Sequence, residues 1–169
     1  ARPLRNILIL LNDELVDGNI KIGIDTFLKF TNYTFGHRYN EQKITVKNIN
    51  KYEELLIKNN VILDRDNRKD KILNDIKTLL KKNKLQLKQD NFLLEEVTGL
   101  VEFPNVLLGS IDNEFMSLPP EVLSTAMKVH QKYFSTIDGQ KKIAPKFLFV
   151  SNALSEKNRN ISITEGNER

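Results

Sequence analysis

The turn that carries His37 and Arg38 is one of two places where this chain could contact an anionic ligand. Gly36 precedes the pair and interrupts an extended run that ends at Phe35. An arginine guanidinium can clamp a phosphate through two parallel hydrogen bonds, and an imidazole can add a further donor. Alternatively, Arg38 bonds to loop carbonyls and fixes the turn. We predict Arg38 as a phosphate contact, with His37 as a secondary one.

The second place is a dense mixture of cationic, amide and aromatic side chains. It comprises Lys128, His130, Gln131, Lys132, Tyr133 and Phe134. Aromatic rings that stack on bases, beside cations that meet phosphates, are what the binding of single-stranded RNA requires. Helical spacing instead puts His130 on the inner side of its helix, where we expect a satisfied core histidine. We predict RNA contacts by Lys128, Gln131 and Lys132.

The acidic residues lack the arrangement of a catalytic pair or a metal site. Glu95 and Glu96 are adjacent. Neighbouring residues on a helix point roughly 100° apart, so these carboxylates cannot share a proton or hold one metal together. The Asp-Arg-Asp run at 64–66 lacks the glycine and the terminal glutamate of a calcium loop. We predict no catalytic residue and no metal ligand in this chain.

Missing motifs exclude several classes of enzyme. The sequence has no GxxxxGK[ST], no GxGxxG after a strand, no HExxH and no GxSxG. It has no Cys, which rules out disulfides, zinc-thiolate sites and thiol catalysis. The signatures of an adenylating site are not recognisable either. We therefore expect no cofactor to bind this chain.

Length and composition describe an ordinary folded protein. The 169 residues are 40% hydrophobic and 28% charged, which is enough for one domain with a real core. No apolar run approaches the ~20 residues that cross a bilayer, so we expect no membrane association. The net charge of +4 permits a polyanionic partner. We predict one domain over 1–169, an internal fragment of a longer chain, with 151–169 as a loosely packed exit segment.

The hydrophobic pattern predicts a mixed architecture. Residues 7–11 are apolar on both faces and predict a buried central strand, whereas the alternating isoleucines of 20–24 predict a half-buried one. Apolar positions at helical spacing predict helices over 66–82 and 91–101. The other predicted elements are strands at 27–35, 43–47, 61–63, 105–111, 133–137 and 147–150, and helices that begin near Asn50 and at Pro119. The predicted class is α+β.

Several motifs follow one another in the order of a known family. They are RPLRNILILLND at 2–13, GHRY at 36–39, VILDRDNRKDKI at 61–72, the segment 93–134 that begins LLEEVTGL, PKFLFVSN at 145–152 and EGNER at 165–169. This ordered series covers nearly all of the chain. On these motifs, the sequence resembles the N-terminal half of the β subunit of the bacterial-type two-subunit glycyl-tRNA synthetase.

The resemblance implies a fold and a role. The implied fold is a β-sandwich-like core with flanking helices, similar to the editing-region domain of the phenylalanyl-tRNA synthetase β subunit. The implied role is non-catalytic: the domain supports ATP-dependent ligation of glycine to its tRNA by positioning the tRNA or bracing other domains. ATP and Mg are expected in the α subunit.

The same resemblance implies the partners. They are an α subunit, in a heterotetramer of two α and two β subunits, and glycine tRNA, in the cytoplasm. Two alternatives stay open, an editing-like hydrolytic domain and a stand-alone RNA-binding module. Editing is the less expected of these, because glycine is the smallest amino acid and a tight active site already excludes larger ones.

Overall fold

The computed structural model describes residues 4–39, 42–154 and 157–168, without the side chains of 157–159. The chain divides into two compact units, Ala1–Leu63 and Asp64–Arg169. The predicted α+β class is confirmed, because small sheets and five α-helices alternate along the described residues and none of the sheets there closes into a barrel. The prediction of one domain over 1–169 stays a prediction. Motif positions 2, 3 and 169 lie outside the described residues.

The first unit consists of short strands and one helix. Its elements are β1 (Ile7–Leu8), β2 (Leu10–Leu11), β3 (Glu14–Leu15), β4 (Asn19–Lys21), β5 (Phe27–Thr31), β6 (Tyr33–Phe35), β7 (Lys43–Thr45), a 3₁₀ turn (Ile49–Lys51) and α1 (Tyr52–Lys58). Strand β5 lies at the centre of a three-stranded sheet, parallel to β1 and antiparallel to β4. Two further antiparallel pairs, β2 with β3 and β6 with β7, complete the unit.

The prediction of a buried central strand over 7–11 was wrong. The run is split into β1 and β2, β1 forms an edge of its sheet, and Leu11 is 67% exposed. The cause is a two-residue turn at Asn12 and Asp13, both with positive φ, which folds β2 back onto β3. Such a turn matches the twist of antiparallel strands, and Asn and Asp tolerate its backbone conformation.

Two other strand predictions also failed in this unit. Strand β4 ends at Lys21, and Ile24 is 87% exposed, so the isoleucines of 20–24 do not form a half-buried strand. The segment 61–63 has no strand pairing, because Asn60 adopts a left-handed conformation after α1 and the Val61 N–H donates to the Leu56 carbonyl. That hydrogen bond satisfies a carbonyl at the end of the helix.

The second unit is built on one antiparallel sheet. Its elements are α2 (Arg65–Asn83), β8 (Gln86–Leu87), α3 (Asn91–Leu100), β9 (Asn105–Ser110), a 3₁₀ turn (Phe115–Ser117), α4 (Pro120–Ala126), a π-helix (Met127–Gln131), β10 (Phe134–Ile137), β11 (Ile143–Ser151) and α5 (Lys157–Glu168). The strand order is β8-β10-β11-β9. Helices α2 and α3 begin within one residue of the predicted positions, each directly after an aspartate whose side chain caps the first turn.

Both faces of this sheet are covered by helices. Side chains alternate along β11, so Leu148 faces α2 and α3 while Phe147 and Phe149 face α4 and the π-helix. The core on the first face consists of Ile72, Ile76, Leu80, Leu93, Leu94, Val97, Val101, Val106, Phe134 and Leu148. Within the second unit, the sheet therefore packs against helices on both sides.

Helix α5 lies in the segment that was expected to be a loosely packed exit. It contacts β9, and Ile163 packs against the second face of the sheet. Two other contacts between α5 and β9 are hydrogen bonds, made by Asn160 and Glu168. Because polar side chains make these contacts, the hydrophobic periodicity of the segment is weak, and the sequence did not predict a helix there. Among the described residues, no helix has the length and apolar character that crossing a membrane requires.

Candidate functional site

The predicted phosphate contacts in the first unit differ in exposure. Arg38 is exposed, and its guanidinium lies over the Tyr39 ring, with Cζ 5.0 Å from the ring centroid and Nη2 3.1 Å from the hydroxyl oxygen. His37 is fully buried, and its imidazole stacks on Tyr39 at 5.4 Å. Arg38 can thus meet a ligand directly, whereas the His37 ring would need the turn to open first.

Lys128 and Lys132 both form ion pairs with residues of α3 or its cap. The Lys128 Nζ lies 2.5 Å from Asp90 Oδ2, and the Lys132 Nζ lies 2.9 Å from Glu96 Oε1. Burial acts to raise the pKa of Asp90, but hydrogen bonds from Lys128 and from the Leu93 N–H outweigh it, so this pKa is lowered. A carboxylate beside each lysine offsets the positive field that the sequence suggests.

Glu95 and Glu96 point to different partners, as their adjacency on a helix predicts. Glu95 bonds to Arg65 at 2.6 Å and to Lys69, whereas Glu96 bonds to Lys132. The hydrogen bond from Lys69 is the main reason why the pKa of Glu95 is lowered. Over the described ranges, no group of three or more His, Asp or Glu side chains could hold a metal ion.

A pocket of about 480 Å³ opens on the second face of the sheet. We call it the aromatic pocket. It is lined by Ser110, Ile111, Asp112, Phe115, Leu123, Ala126, Met127, His130, Gln131, Tyr133, Phe147, Gly166, Asn167 and Glu168. Leu123, Met127 and Phe147 belong to the hydrophobic core beneath it, while Asp112, Gln131 and the other polar members supply hydrogen-bonding groups.

Two stacked aromatic rings stand at the base of the aromatic pocket. Tyr133 and Phe147 have centroids 4.5 Å apart and an interplanar angle of 12°. The Tyr133 hydroxyl donates to Asn167 Oδ1 at 2.5 Å, and burial raises the pKa of this phenol. Since the hydroxyl stays protonated at neutral pH, it acts as a permanent donor that holds α5 in place.

The Gly-Asn-Glu run at 166–168 forms one wall of this pocket, a role that the sequence left unassigned. The Ser110 N–H donates to Glu168 Oε1 at 2.6 Å, and Asn167 Nδ2 donates to the Ile163 carbonyl at 2.7 Å. A sequence signal existed, because Asn160, Ile163 and Asn167 recur at helical spacing. Those three residues all face the sheet or its strands.

His130 is not the core histidine that helical spacing predicts. It is exposed and lines the aromatic pocket. The segment Met127–Gln131 is a π-helix, whose i→i+5 hydrogen bonds widen the turn and rotate side chains away from α-helical positions. Met127 remains buried in the core, so the shift affects the residues that follow it.

A second concavity, of about 660 Å³, is lined mainly by positively charged and aliphatic residues, whereas the charged residues of the aromatic pocket include two carboxylates. We call it the lysine groove, because Lys88, Lys141 and Lys142 line it together with aliphatic side chains and one acidic residue, Glu121. The Lys88 Nζ donates to the Ser124 hydroxyl at 2.9 Å. In the described part of the chain, none of the three lysines forms an ion pair, in contrast to Lys128 and Lys132.

The lysine groove and the aromatic pocket are neighbours. Leu123 of α4 lines both, and two residues of the 3₁₀ turn line one each, Phe115 the aromatic pocket and Met116 the lysine groove. The sequence did not point to Lys141 or Lys142, because they occupy an ordinary turn. Together the two concavities place cations beside a pocket for a flat, partly apolar group, an arrangement that suits a nucleotide.

Comparison with known proteins places the chain in a family. A family profile described as "Glycyl-tRNA synthetase beta subunit" matches residues 1–169. Two relatives, both named "Glycine–tRNA ligase beta subunit", come from Rickettsia canadensis (strain McKiel) and Rickettsia prowazekii (strain Madrid E). The first is 45% identical over 153 residues, which are 90% of this chain and 22% of the relative. The second is 41% identical over 169 residues, which are 99% and 24%.

These matches define a component of the aminoacyl-tRNA synthetases. The chain belongs to the glycyl-tRNA synthetase beta subunit family, as the ordered motifs predicted. It spans about a quarter of the length of the curated relatives that it matches.

Proposed function

We propose that this chain is a tRNA-binding part of a glycine–tRNA ligase β subunit. It supports ATP-dependent ligation of glycine by positioning the tRNA or bracing neighbouring domains, and it performs no chemistry itself. ATP and Mg act in the α subunit, and two α and two β subunits form the assembly in the cytoplasm. Family membership supports the proposal, and so do relatives named as ligase β subunits.

The observation that carries RNA binding is the lysine groove. Lysines that neutralise phosphates release condensed counterions, and this release supplies much of the affinity of a protein for RNA. A lysine already paired with a carboxylate contributes less, because its field is offset. Lys141 and Lys142 therefore join the contacts predicted from the sequence.

The sequence-predicted contacts remain in the proposal with different weights. Arg38 is exposed and presents its guanidinium, and Gln131 presents an amide at the aromatic pocket. Lys128 and Lys132 would exchange a carboxylate partner for a phosphate. His37 would contact RNA only if its turn rearranged.

The likeness to the editing-region domain of the phenylalanyl-tRNA synthetase β subunit is also a proposal. An antiparallel sheet with helices packed against it supports the likeness. This observation does not support the sandwich-like core of that domain, because the sheet of the second unit packs on helices.

A gel-shift titration of glycine tRNA with the chain tests the proposed function. The test variants are Arg38→Ala, Lys128→Ala/Lys132→Ala and Lys141→Ala/Lys142→Ala. The matched control is Lys51→Ala/Lys58→Ala, which removes the same charge from the residues at the two ends of α1, the N-cap Lys51 and the last residue Lys58, both of which pair with Glu54. We expect the Lys141/Lys142 variant to bind most weakly, with the slope of log affinity against log salt reduced by about 0.7–0.9 per lost phosphate contact.

If the control and the Lys141/Lys142 variant lost the same affinity for tRNA, net charge alone would explain the loss. That result would contradict the assignment of the lysine groove as the RNA contact. Absence of binding to any tRNA would contradict RNA binding by this chain. Equal binding to glycine tRNA and unrelated tRNAs, lost as salt rises, would instead favour a stand-alone RNA-binding module.

One observation favours the editing alternative. The aromatic pocket brings polar groups together beside His130, as a hydrolytic site would need. Incubation of the chain with tRNA that carries alanine or serine, followed by measurement of the released amino acid, tests it. Editing requires deacylation by the native chain that His130→Ala abolishes; we expect the native chain to release no more amino acid than buffer does.

A further inference from the structure

We propose that the aromatic pocket binds one unstacked nucleobase from the single-stranded end of the tRNA. This inference rests on the proposed function and specifies the chemistry that the pocket recognises. Its volume, about 480 Å³, lies within the roughly 300–1,000 Å³ of pockets that bind small molecules. A single nucleoside is the part of an RNA that fits such a space.

The walls suit the flat faces of a base. Leu123, Met127 and the Tyr133–Phe147 stack form the apolar base of the pocket, and Phe115, 45% exposed, lies at its mouth. Bases splayed out of a single strand bind by stacking on aromatic rings and packing on apolar side chains. A thioether such as that of Met127 makes favourable contacts with rings.

The polar groups suit the edge of a base. Asp112 and Glu168 offer carboxylate acceptors to an exocyclic amino group, although one Glu168 oxygen already accepts from the Ser110 N–H. The Gln131 amide can both donate and accept, as the ring nitrogens and carbonyls of a base require. Two acceptors with negative charge favour a base that carries an exocyclic amine, namely adenine, cytosine or guanine.

The charges of the pocket disfavour other ligands. None of the described residues that line it is Lys or Arg, while two are acidic. A phosphate, or the carboxylate of a free amino acid, would place its own negative charge beside Asp112 and Glu168, and the nearby cation Lys146 already donates to the Ser110 hydroxyl. An aminoacyl ester, which has an amine but no carboxylate, is the main competitor, and the experiment must separate it from a base.

The lysine groove explains how the rest of the nucleotide is accommodated. Leu123 lines both concavities, so the two are adjacent, and we assign the phosphates that flank the bound base to Lys141 and Lys142. Phosphate contacts position a strand and base contacts specify it. Helix α4 contributes residues both to the pocket proposed for the base and to the groove proposed for the phosphates.

A blocking variant tests the pocket without removing any polar group. Ala126 lines the pocket on α4, so Ala126→Leu fills part of it, and Thr125→Leu adds an apolar side chain to the neighbouring exposed position as the control. The two RNAs are glycine tRNA with its complete 3′ single-stranded end and the same tRNA without its last unpaired nucleotides. We expect Ala126→Leu to weaken binding of the complete tRNA by about 5- to 150-fold, the worth of one stacked base.

The same substitution should leave binding of the shortened tRNA unchanged, and Thr125→Leu should change neither. Equal affinity of the native chain for the complete and shortened tRNAs would overturn the pocket proposal. If the Lys141/Lys142 variant still weakened both RNAs, the proposed function would survive that outcome.

A second measurement reads the two concavities separately. The chain has two methionines, and Met127 lines the aromatic pocket while Met116 lines the lysine groove. With ¹³C-methyl methionine, we expect adenosine to shift the Met127 signal and inorganic phosphate to shift that of Met116. A shift of Met127 by adenosine with no tRNA binding would keep the pocket as a nucleobase site but refute both tRNA as the source of that base and the proposed function. A shift by an amino acid methyl ester but not by any nucleoside would overturn the base assignment.

Discussion

Adding a single methyl group at Gly109 is expected to destabilise the second unit. Gly109 lies in β9 directly opposite Phe147 of β11, and the Phe147 ring occupies the space where a side chain would stand. A Cβ at this position would come 2.8 Å from Cε1 and 2.9 Å from Cε2 of that ring, and closer still to Cζ. Gly109→Ala therefore forces the ring or the strand to move.

The ring has little room to move, because it is already stacked on Tyr133 at 4.5 Å and tilted against Phe149 at 5.9 Å. Inserting a methyl group into a packed core costs about 1–3 kcal/mol. For a chain of this size, each 1 kcal/mol lowers the melting temperature by roughly 2–4 °C. The expected decrease for Gly109→Ala is thus about 2–12 °C.

Gly99→Ala is the matched control. Gly99 lies in α3, and nothing lies within 4 Å of the Cβ that alanine would add. Alanine in a helix is more favourable than glycine by about 0.5–1 kcal/mol, so this variant should melt at a slightly higher temperature. Thermal unfolding followed by circular dichroism measures both. A melting temperature of Gly109→Ala equal to that of the native chain would refute the packing of Phe147 over β9.

Three further outcomes follow from the second unit, each measured by urea unfolding. The lowered pKa of Asp90 means that its charged form, paired with Lys128, stabilises the fold above the unfolded pKa of about 3.9. This contribution is lost as the pH falls through the folded pKa. Asp90→Asn should therefore have a lower free energy of unfolding than the native chain near neutrality, and the difference should narrow below about pH 4. A gap that stayed constant with pH would contradict the ion pair. Tyr133→Phe should cost about 0.5–1.5 kcal/mol and show coupling with Asn167→Ala in a double-mutant cycle, whereas additive effects would exclude the hydrogen bond between them. Ile72→Ala, at a fully buried position of α2, should cost about 2–5 kcal/mol, and a loss below 1 kcal/mol would contradict its place in the core.

Local patterns predicted the second unit better than the first. Helix α2 and helix α3 were predicted within one residue of their ends, because apolar spacing along a helix is a pattern of residues close together in the sequence. In the first unit the apolar run 7–11 misled the prediction. A turn at Asn12 and Asp13 ends the extended run and folds the chain back. The Asn-Asp pair is itself a turn signal that could have predicted this break.

The candidate site, like the fold, was predicted from the sequence only in part. The residue types of Arg38, Lys128, Gln131 and Lys132 indicated a polyanion, and the ordered motifs indicated the family that the comparisons confirm. The pairing of Lys128 with Asp90 was not foreseeable, because the two residues lie on different helical segments that meet only in the folded unit.

The sequence alone determined what depends on near neighbours along the chain: the helices α2 and α3, the apolar strands of the second unit, the lack of several enzyme motifs, and the motif order of the family. Tertiary structure decided which lysines keep an unpaired charge and where the concavities open. Asp112, Gln131 and Glu168 come from a loop, a π-helix and α5, and only packing on one sheet brings them together. Charge and cavity shape depend on such distant pairs, whose geometry no local pattern encodes.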